Sequence, residues 1–155
     1  MSGGVRFADV GIVDAEFGVD VRVVRPVNLY GCRIGDRSFI GPFCEIQRGA
    51  TIGRDCRIQS HSFVCDLVTV GDGCFIGHGV MFINDTFAVG GPAGGDRAQW
   101  RATTVGNGVS IGSNATILPV RIADGVVVGA GAVVTRDLLV KGVYAGNPAR
   151  LLRKL

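Results

Sequence analysis

The sequence predicts an all-β fold, a left-handed parallel β-helix wound from hexapeptide repeats. Three observations predict it: large apolar residues recur at every sixth position, small residues recur four positions after each of them, and glycine often follows the large residue. Stepping by six from Ile34 gives Ile40, Ile46, Ile52, Ile58, Val64, Val70, Ile76 and Phe82, all large and apolar. Four residues further on stand Ser38, Cys44, Ala50, Cys56, Ser62, Val68, Cys74 and Val80, all small or β-branched. The following glycines are Gly35, Gly41, Gly53, Gly71 and Gly77. A period of six fits neither helical periodicity nor strand alternation, and a fixed repeat is the mark of a solenoid. Short strands joined by tight turns, three to a coil, place residues eighteen apart on top of one another at about 4.8 Å. The large aliphatics then line a triangular interior, the small residues sit where the prism narrows, and glycine allows the corners.

The elements follow in order. Val24, Leu29 and Ile34 are spaced by five, which predicts an irregular first coil. Regular coils run from Ile34 to Phe82. Residues 84–104 break the period and are rich in glycine; a long loop in a tightly wound solenoid is functional or disordered. The only tryptophan, Trp100, lies there and either covers a patch of the prism or contacts a ligand. The period resumes at Val105, Ile111 and Ile117, with Val109 and Ala115 as small partners. It continues through Ile122, Val128, Val134 and Val140, with Val126 and Ala132. It fades after Leu138, and residues 150–155 are expected to form a short C-terminal helix that closes the last coil and hides its edge.

Bulk properties narrow the field. A length of 155 residues suits one domain, 1–155. With 47% hydrophobic but only 7% aromatic residues, the core must be aliphatic. The 25 glycines show no Gly-X-Y period, so collagen is excluded. A net charge of +3 without a basic run interleaved with aromatics argues against a nucleic-acid partner. Residues 1–10 carry Arg6 and Asp9 and no apolar run, which predicts no leader peptide. No stretch is long and apolar enough to predict a membrane span. Cys32, Cys44, Cys56, Cys65 and Cys74 form no CxxC pair, and Cys44, Cys56 and Cys74 fall at the small inward position as core filler. Free thiols in a cytoplasmic protein without metal are expected.

The two histidines, His61 and His78, fall in the second hexapeptide of their coils, hence on one side of the prism, with residue 60 stacking under His78. Asn84 lies six residues beyond His78, and Asp66 stacks beneath it. His78, Asn84, Asp85 and His61 are therefore expected to gather where the long loop leaves the helix.

The stretches IGDRSFIGPFCEIQ, CFIGHGVMFIND and IGSNATILPVRIADGVVVGAGAVVTRDLLVKGVYAGNPARLL resemble the hexapeptide-repeat acyltransferases. The segment GAGAVVTRD followed by GNPAR is characteristic of the CoA-dependent members. Within that superfamily, GHGVMFIND followed by a loop and W-R-x-T-x-V is similar to the N-acetyltransferases of nucleotide-linked 3-amino-deoxysugars. The resemblance implies a homotrimer with active sites between neighbouring prisms and acetyl-CoA as co-substrate. It also implies a CoA groove at Ser113, Ala130, Thr135, Arg136, Pro148, Arg150 and Arg153, with the arginines suited to the CoA phosphates. In the matching enzymes the asparagine corresponding to Asn84 anchors the sugar. By that resemblance Asn84 and His78 serve catalysis, with Asn84, Asp85, His61 and Trp100 lining the substrate. Two departures stand out. The segment from Ile117 to Ile122 is one residue short, so its corner must be tighter. The loop reads Phe87-Ala88-Val89 where relatives commonly have Pro-Arg.

Acyl transfer to an amine needs a neutral amine, a nearby thioester and something to stabilise the oxyanion. The O-acetyltransferase branch uses a loop histidine as base, and none occurs near Asp85 to Phe87. A hydroxyl needs a base far more than an amine does, so the missing histidine favours an amino-sugar acceptor over a sugar hydroxyl. O-acetylation, or a non-catalytic trimeric β-helix scaffold, is the alternative; the intact C-terminal CoA motif argues against the scaffold. A carbonic anhydrase needs three zinc-binding histidines, more than one chain has.

Overall fold

The computed structural model describes residues 4–155; the expectation of no leader falls partly on residues 1–3, outside them. The chain winds into a β-solenoid of the left-handed β-helix type, whose strands form three faces. Most strands are only two residues long, one residue pointing inward and one outward. Face A stacks Ile12, Leu29, Ile46, Val64, Phe82, Ile117 and Val134. Face B stacks Phe17, Ile34, Ile52, Val70, Val105 and Ile122. Face C stacks Val23, Ile40, Ile58, Ile76, Ile111, Val128 and Tyr144. From Leu29 to Val134 this column of large side chains on face A is fully buried. Each such side chain stabilises the fold by about 1.5–3 kcal/mol relative to the exposed state.

The small inward position does more than fill space. Ser38 Oγ donates to the Gly53 carbonyl at 2.8 Å and Ser62 Oγ to Gly77 at 2.8 Å. The thiols of Cys44, Cys56 and Cys74 reach the carbonyls of Gln59, Gly71 and Gly106 at 3.0, 3.1 and 3.1 Å. Serine and cysteine thus bring a small donor to a corner carbonyl one coil on, where a buried acceptor needs a partner. All five cysteines are buried and unpaired. Burial raises the Cys32 and Cys44 thiols and pushes that of Cys65 up to about 12.

The glycines after the large aliphatics answer to crowding rather than to a turn. A Cβ on Gly53 would lie 2.5 Å from the Gly71 carbonyl oxygen, and one on Gly77 would lie 2.6 Å from the Ser113 nitrogen. The left-handed corner residue is a different one, two positions later: Phe43, His61 and Asn114 take it with φ of 62°, 64° and 59°.

Four expectations need correction. Coils are not uniformly eighteen residues: stacked partners lie eighteen apart in the middle but seventeen apart in the first coils and sixteen apart at the end. The first coil is shorter rather than irregular, with Val23, not Val24, in the inward register with Ile40. Val140 is 47% exposed, because the short last coil gives its inward slot to Leu138, which bridges Ile122 and is 4% exposed. Finally, residues 150–155 form no helix. Arg150–Lys154 is a strand that turns back antiparallel onto Gly142–Ala145. The edge backbone groups of Gly142–Ala145 take up its hydrogen bonds, which a helix would need for itself. It still serves the predicted purpose of covering that edge.

Candidate active site

Two corners flank face A, and they carry nearly every predicted site residue. The corner between faces C and A stacks residues 41–44, 59–62, 77–80, 112–115 and 129–132. His78 sits there, exposed, with Nδ1 sharing a hydrogen bond with Ser60 Oγ at 2.8 Å. That contact leaves Nε2 as the nitrogen available outside the prism and fixes the ring's orientation. His61, one residue past Ser60, occupies the left-handed corner position and stacks on Phe43, ring centroids 4.9 Å apart. Above His78 come Ser113 and then Ala130: Asn114 N donates to the His78 carbonyl, and Gly131 N to that of Ser113, each at 2.8 Å. Pro148 lies in the turn that ends this corner, where Ala149 N donates to Val133 O at 2.8 Å. His78, Ser113, Ala130 and Pro148 therefore form one column of small, exposed or half-buried residues.

The corner between faces A and B holds the rest. Asn84 is half-buried; its Nδ2 donates to the Asp66 carbonyl at 3.1 Å, and its own carbonyl accepts from Arg101 N at 2.9 Å. This leaves the Asn84 amide oxygen as the acceptor it presents. The Asp85 carboxylate closes the loop base, accepting from Phe87 N at 2.9 Å and Ala93 N at 2.7 Å. Its two oxygens are thus committed to the loop. The Asp66 carboxylate, only 13% exposed, accepts from Arg97 Nε at 2.6 Å and Nη2 at 3.2 Å, clasping the loop back onto the prism. The half-buried Trp100 follows. Thr135 and Arg136 lie exposed on the same corner beyond the loop, past the shortened turn at Leu118 to Val120. Arg150 and Arg153 project from the closing strand and are exposed.

The structure thus unites His61 with His78, and Asn84 with Asp85 and Trp100, but it does not gather all of them at the loop. His78 and Asn84 stand at opposite ends of the strand Met81–Phe82. His61 and His78 share one corner of the prism, but a hexapeptide step along the chain crosses one whole face. Of the predicted CoA residues, Ser113, Ala130 and Pro148 share the His78 corner, Thr135 and Arg136 the Asn84 corner, and Arg150 and Arg153 the closing strand. Sequence reasoning placed residue 60 under His78 and Asp66 under Asn84, because stacking is legible from the period. It did not find Arg97, whose partner is set by the path of an aperiodic loop. Among the described residues no group of His, Cys, Asp or Glu is arranged to hold a metal, and no helix is long and apolar enough to cross a membrane.

Residues 31–66 match the model for the bacterial transferase hexapeptide (six repeats), and residues 102–136 that for the hexapeptide repeat of succinyl-transferase. Fold and repeat together define a hexapeptide-repeat β-helix. Over those two stretches the chain carries the hexapeptide repeat that the transferase models describe. Among solved structures it is similar to AntD, an N-acyltransferase from Bacillus cereus solved as a mutant with dTDP and coenzyme A. That match is 22% identical, covers 92% of this chain and 85% of that one, and has a TM-score of 0.78. It is similar also to a hexapeptide transferase family protein from Anaplasma phagocytophilum, at 20% identity over 91% and 79% of the two chains, TM-score 0.73. A hexapeptide-repeat acetyltransferase from Vibrio cholerae, solved with acetyl coenzyme A, is 26% identical over 81% and 71%, TM-score 0.63. Among curated proteins, acyl-(acyl-carrier-protein)–UDP-N-acetylglucosamine O-acyltransferases of Brucella species are 42% identical over 43 residues. That match covers 28% of this chain but only 16% of those relatives.

Proposed function

We propose that residues 1–155 act as one β-helix acyltransferase domain that moves an acetyl group from acetyl-CoA to the amino group of a nucleotide-linked amino deoxysugar. The observation that carries this reading is the column His78–Ser113–Ala130–Pro148 along one corner. Small side chains and close-stacked backbone there offer an extended pantetheine arm a flat track, and the track leads to an oriented histidine. The acetyl-CoA complex of the Vibrio cholerae relative supports the donor. The sequence motifs, not the neighbours of lower identity, support the acceptor.

The two halves of the site meet only between chains. In a homotrimer the His78 corner of one prism would face the Asn84 loop of the next. The exposed Phe43, Phe75 and Met81 that flank the His78 corner suit burial against a second copy. In that groove the Asn84 amide oxygen holds the sugar, and the neutral amine attacks the thioester carbonyl. The C–S bond breaks as the amide forms, CoA leaves as thiolate, and the amine proton passes to His78 Nε2 or to the departing sulfur. Placing the reactants side by side is the main contribution, about 7–11 kcal/mol of the barrier when alignment is good. The basic strand bearing Arg150 and Arg153 would receive the CoA phosphates.

The experiment is thiol release from acetyl-CoA against a panel of nucleotide amino sugars and their hydroxyl counterparts. Release with the amines alone is expected. Release with hydroxyl sugars alone would favour O-acylation, which the Brucella match also names. No release with any acceptor would leave the non-catalytic scaffold. A monomer at micromolar concentration would sink the interfacial site.

A further inference from the structure

The return limb of the long loop lies back over the three coils that precede it. Arg97 is clasped to Asp66 one coil down, and Trp100 reaches a cavity shared with Gln47 and Arg48 two coils down and Tyr30 three coils down. The cavity holds about 330 Å³, the lower end of the range that takes small ligands. Its walls are built rather than incidental. Glu45 accepts from Tyr30 Oη at 3.3 Å, Gln47 Nε2 at 2.9 Å and Asn28 Nδ2 at 3.1 Å, so one carboxylate fixes two of the lining side chains. With its nitrogen committed, Gln47 presents its amide oxygen. Arg48 has a single, long ionic contact, 3.7 Å to Asp14, and both side chains are mostly exposed, so its guanidinium remains available. It lies across Gly31, where a Cβ would come within 2.8 Å of it.

Tyr30, Gln47, Arg48 and Trp100 line this pocket together with Asp66, whose carboxylate is paired with Arg97 and whose carbonyl accepts from Asn84 Nδ2. We infer that this cavity takes a nucleoside diphosphate, the base between Tyr30 and Trp100 and the phosphates on Arg48. The inference rests on the reading above that the acceptor sugar is nucleotide-linked. A base has a flat face on which aromatic side chains stack. Arginine holds phosphate through paired charge-assisted hydrogen bonds. Asp66 is a positioning residue in this scheme: its carboxylate secures Arg97 and hence Trp100, while its carbonyl secures Asn84. The base-binding and sugar-holding groups therefore share one anchor.

Trp100 is the only tryptophan, so its emission reads the cavity directly. The protein is titrated with UDP, dTDP, inorganic pyrophosphate and coenzyme A, with calorimetry alongside. Saturable quenching by UDP or dTDP, and none by pyrophosphate or coenzyme A, is expected. Tyr30→Ala and, separately, Arg48→Ala should each weaken nucleotide binding at least about tenfold, near 1.4 kcal/mol, with coenzyme A affinity unchanged. Circular dichroism melts show that each variant is folded. The inference is overturned if calorimetry finds no nucleotide binding. Nucleotides binding without any change in Trp100 emission, or coenzyme A producing the same quench, would overturn it as well. Its failure is separable from that of the proposed reaction. Amino-sugar-dependent thiol release with an unchanged KM in Tyr30→Ala removes the subsite and keeps the reaction. Nucleotide quenching without thiol release does the reverse.

Discussion

The two corners of face A are built on opposite rules. At the corner holding His78 the repeat is obeyed: the chain turns in four residues at successive coils, and Ser60, His78, Ser113 and Ala130 stack in one column. At the corner holding Asn84 the repeat is broken. A 35-residue separation between stacked partners replaces the usual eighteen, and the extra chain folds back over the coils below. Regularity yields a uniform track, suited to a long, flexible donor whose recognition is mostly backbone contact. Interruption yields a one-off pocket of aromatic, amide and charged groups, suited to an acceptor with a specific shape. Under the proposed function, this solenoid divides donor and acceptor recognition between obeying its repeat and violating it.

The most damaging way to break the comparison is to remove what both corners rest on. Phe82, fully buried on the strand that joins them, is the largest inward side chain of face A. Phe82→Ala should cost about 3–5 kcal/mol in urea unfolding and abolish both donor and acceptor binding. A loss confined to one function would mean the corners are independent of that strand.

Next comes a crossed pair. Asn84→Ala should lower amino-sugar turnover roughly a hundredfold through lost alignment while leaving coenzyme A affinity intact. Ala130→Trp, at an exposed position of the proposed donor track, should do the opposite: coenzyme A binding falls while nucleotide binding holds. Equal loss of both affinities in either variant would refute the division.

A subtler change sharpens it. Gly77→Ala puts a Cβ against the Ser113 backbone nitrogen, so the track must spread by a fraction of an ångström. Overpacking of that kind costs about 1–3 kcal/mol, and it should weaken coenzyme A more than nucleotide. Parallel melting and binding curves would check this.

The smallest effect lies away from both corners. Asp72 accepts from Arg54 N and Nη2, each at 2.8 Å, and its hydrogen bonds with the Arg54 side chain and backbone hold its carboxyl below the ordinary value of 3.8. A carboxyl lowered in the folded state contributes stability above its unfolded pKa, and that contribution disappears as pH falls through the folded one. The melting temperature of Asp72→Asn should therefore differ from that of the parent at neutral pH, and the gap should close in strong acid. A gap that is constant with pH would assign the change to shape alone.

Much of this was legible in the sequence because stacking converts a period directly into neighbours. Ile34 to Phe82 and Val105 to Val134 fall inward as spaced, and Ser60 and Asp66 fall beneath His78 and Asn84. Legibility ended where coil length changed. Val140 was misplaced by the loss of residues in the last coil, and the closing strand was read as a helix because RLLRK carries no strand alternation of its own. Its strand state comes from the free edge of Gly142–Ala145, which no local pattern records. The Asp66–Arg97 clasp was hidden for the same reason: an aperiodic loop has no register from which to infer a partner. His78 and Asn84 were expected together because six residues looks short along the chain, although it spans a whole face of the prism.

The antiparallel closing strand also bears on how the molecule comes apart. At the last coil, Ala149 N bonds Val133, Gly129 N bonds Tyr144 and Ala123 N bonds Leu138, so each face is tied off. The first described strands, Ile12–Val13, Glu16–Phe17 and Arg22–Val23, have a neighbour on one side only, and Ile12 and Phe17 are about two-fifths exposed. A stack of units that touch only their neighbours loosens from its weaker end. Among the described residues the prism is therefore held more firmly at its last coil than at its first. Amide exchange should sweep from the first described coil upward and reach the coils that carry Ser113 and Ala130 last, so the end proposed to bind the donor remains wound longest.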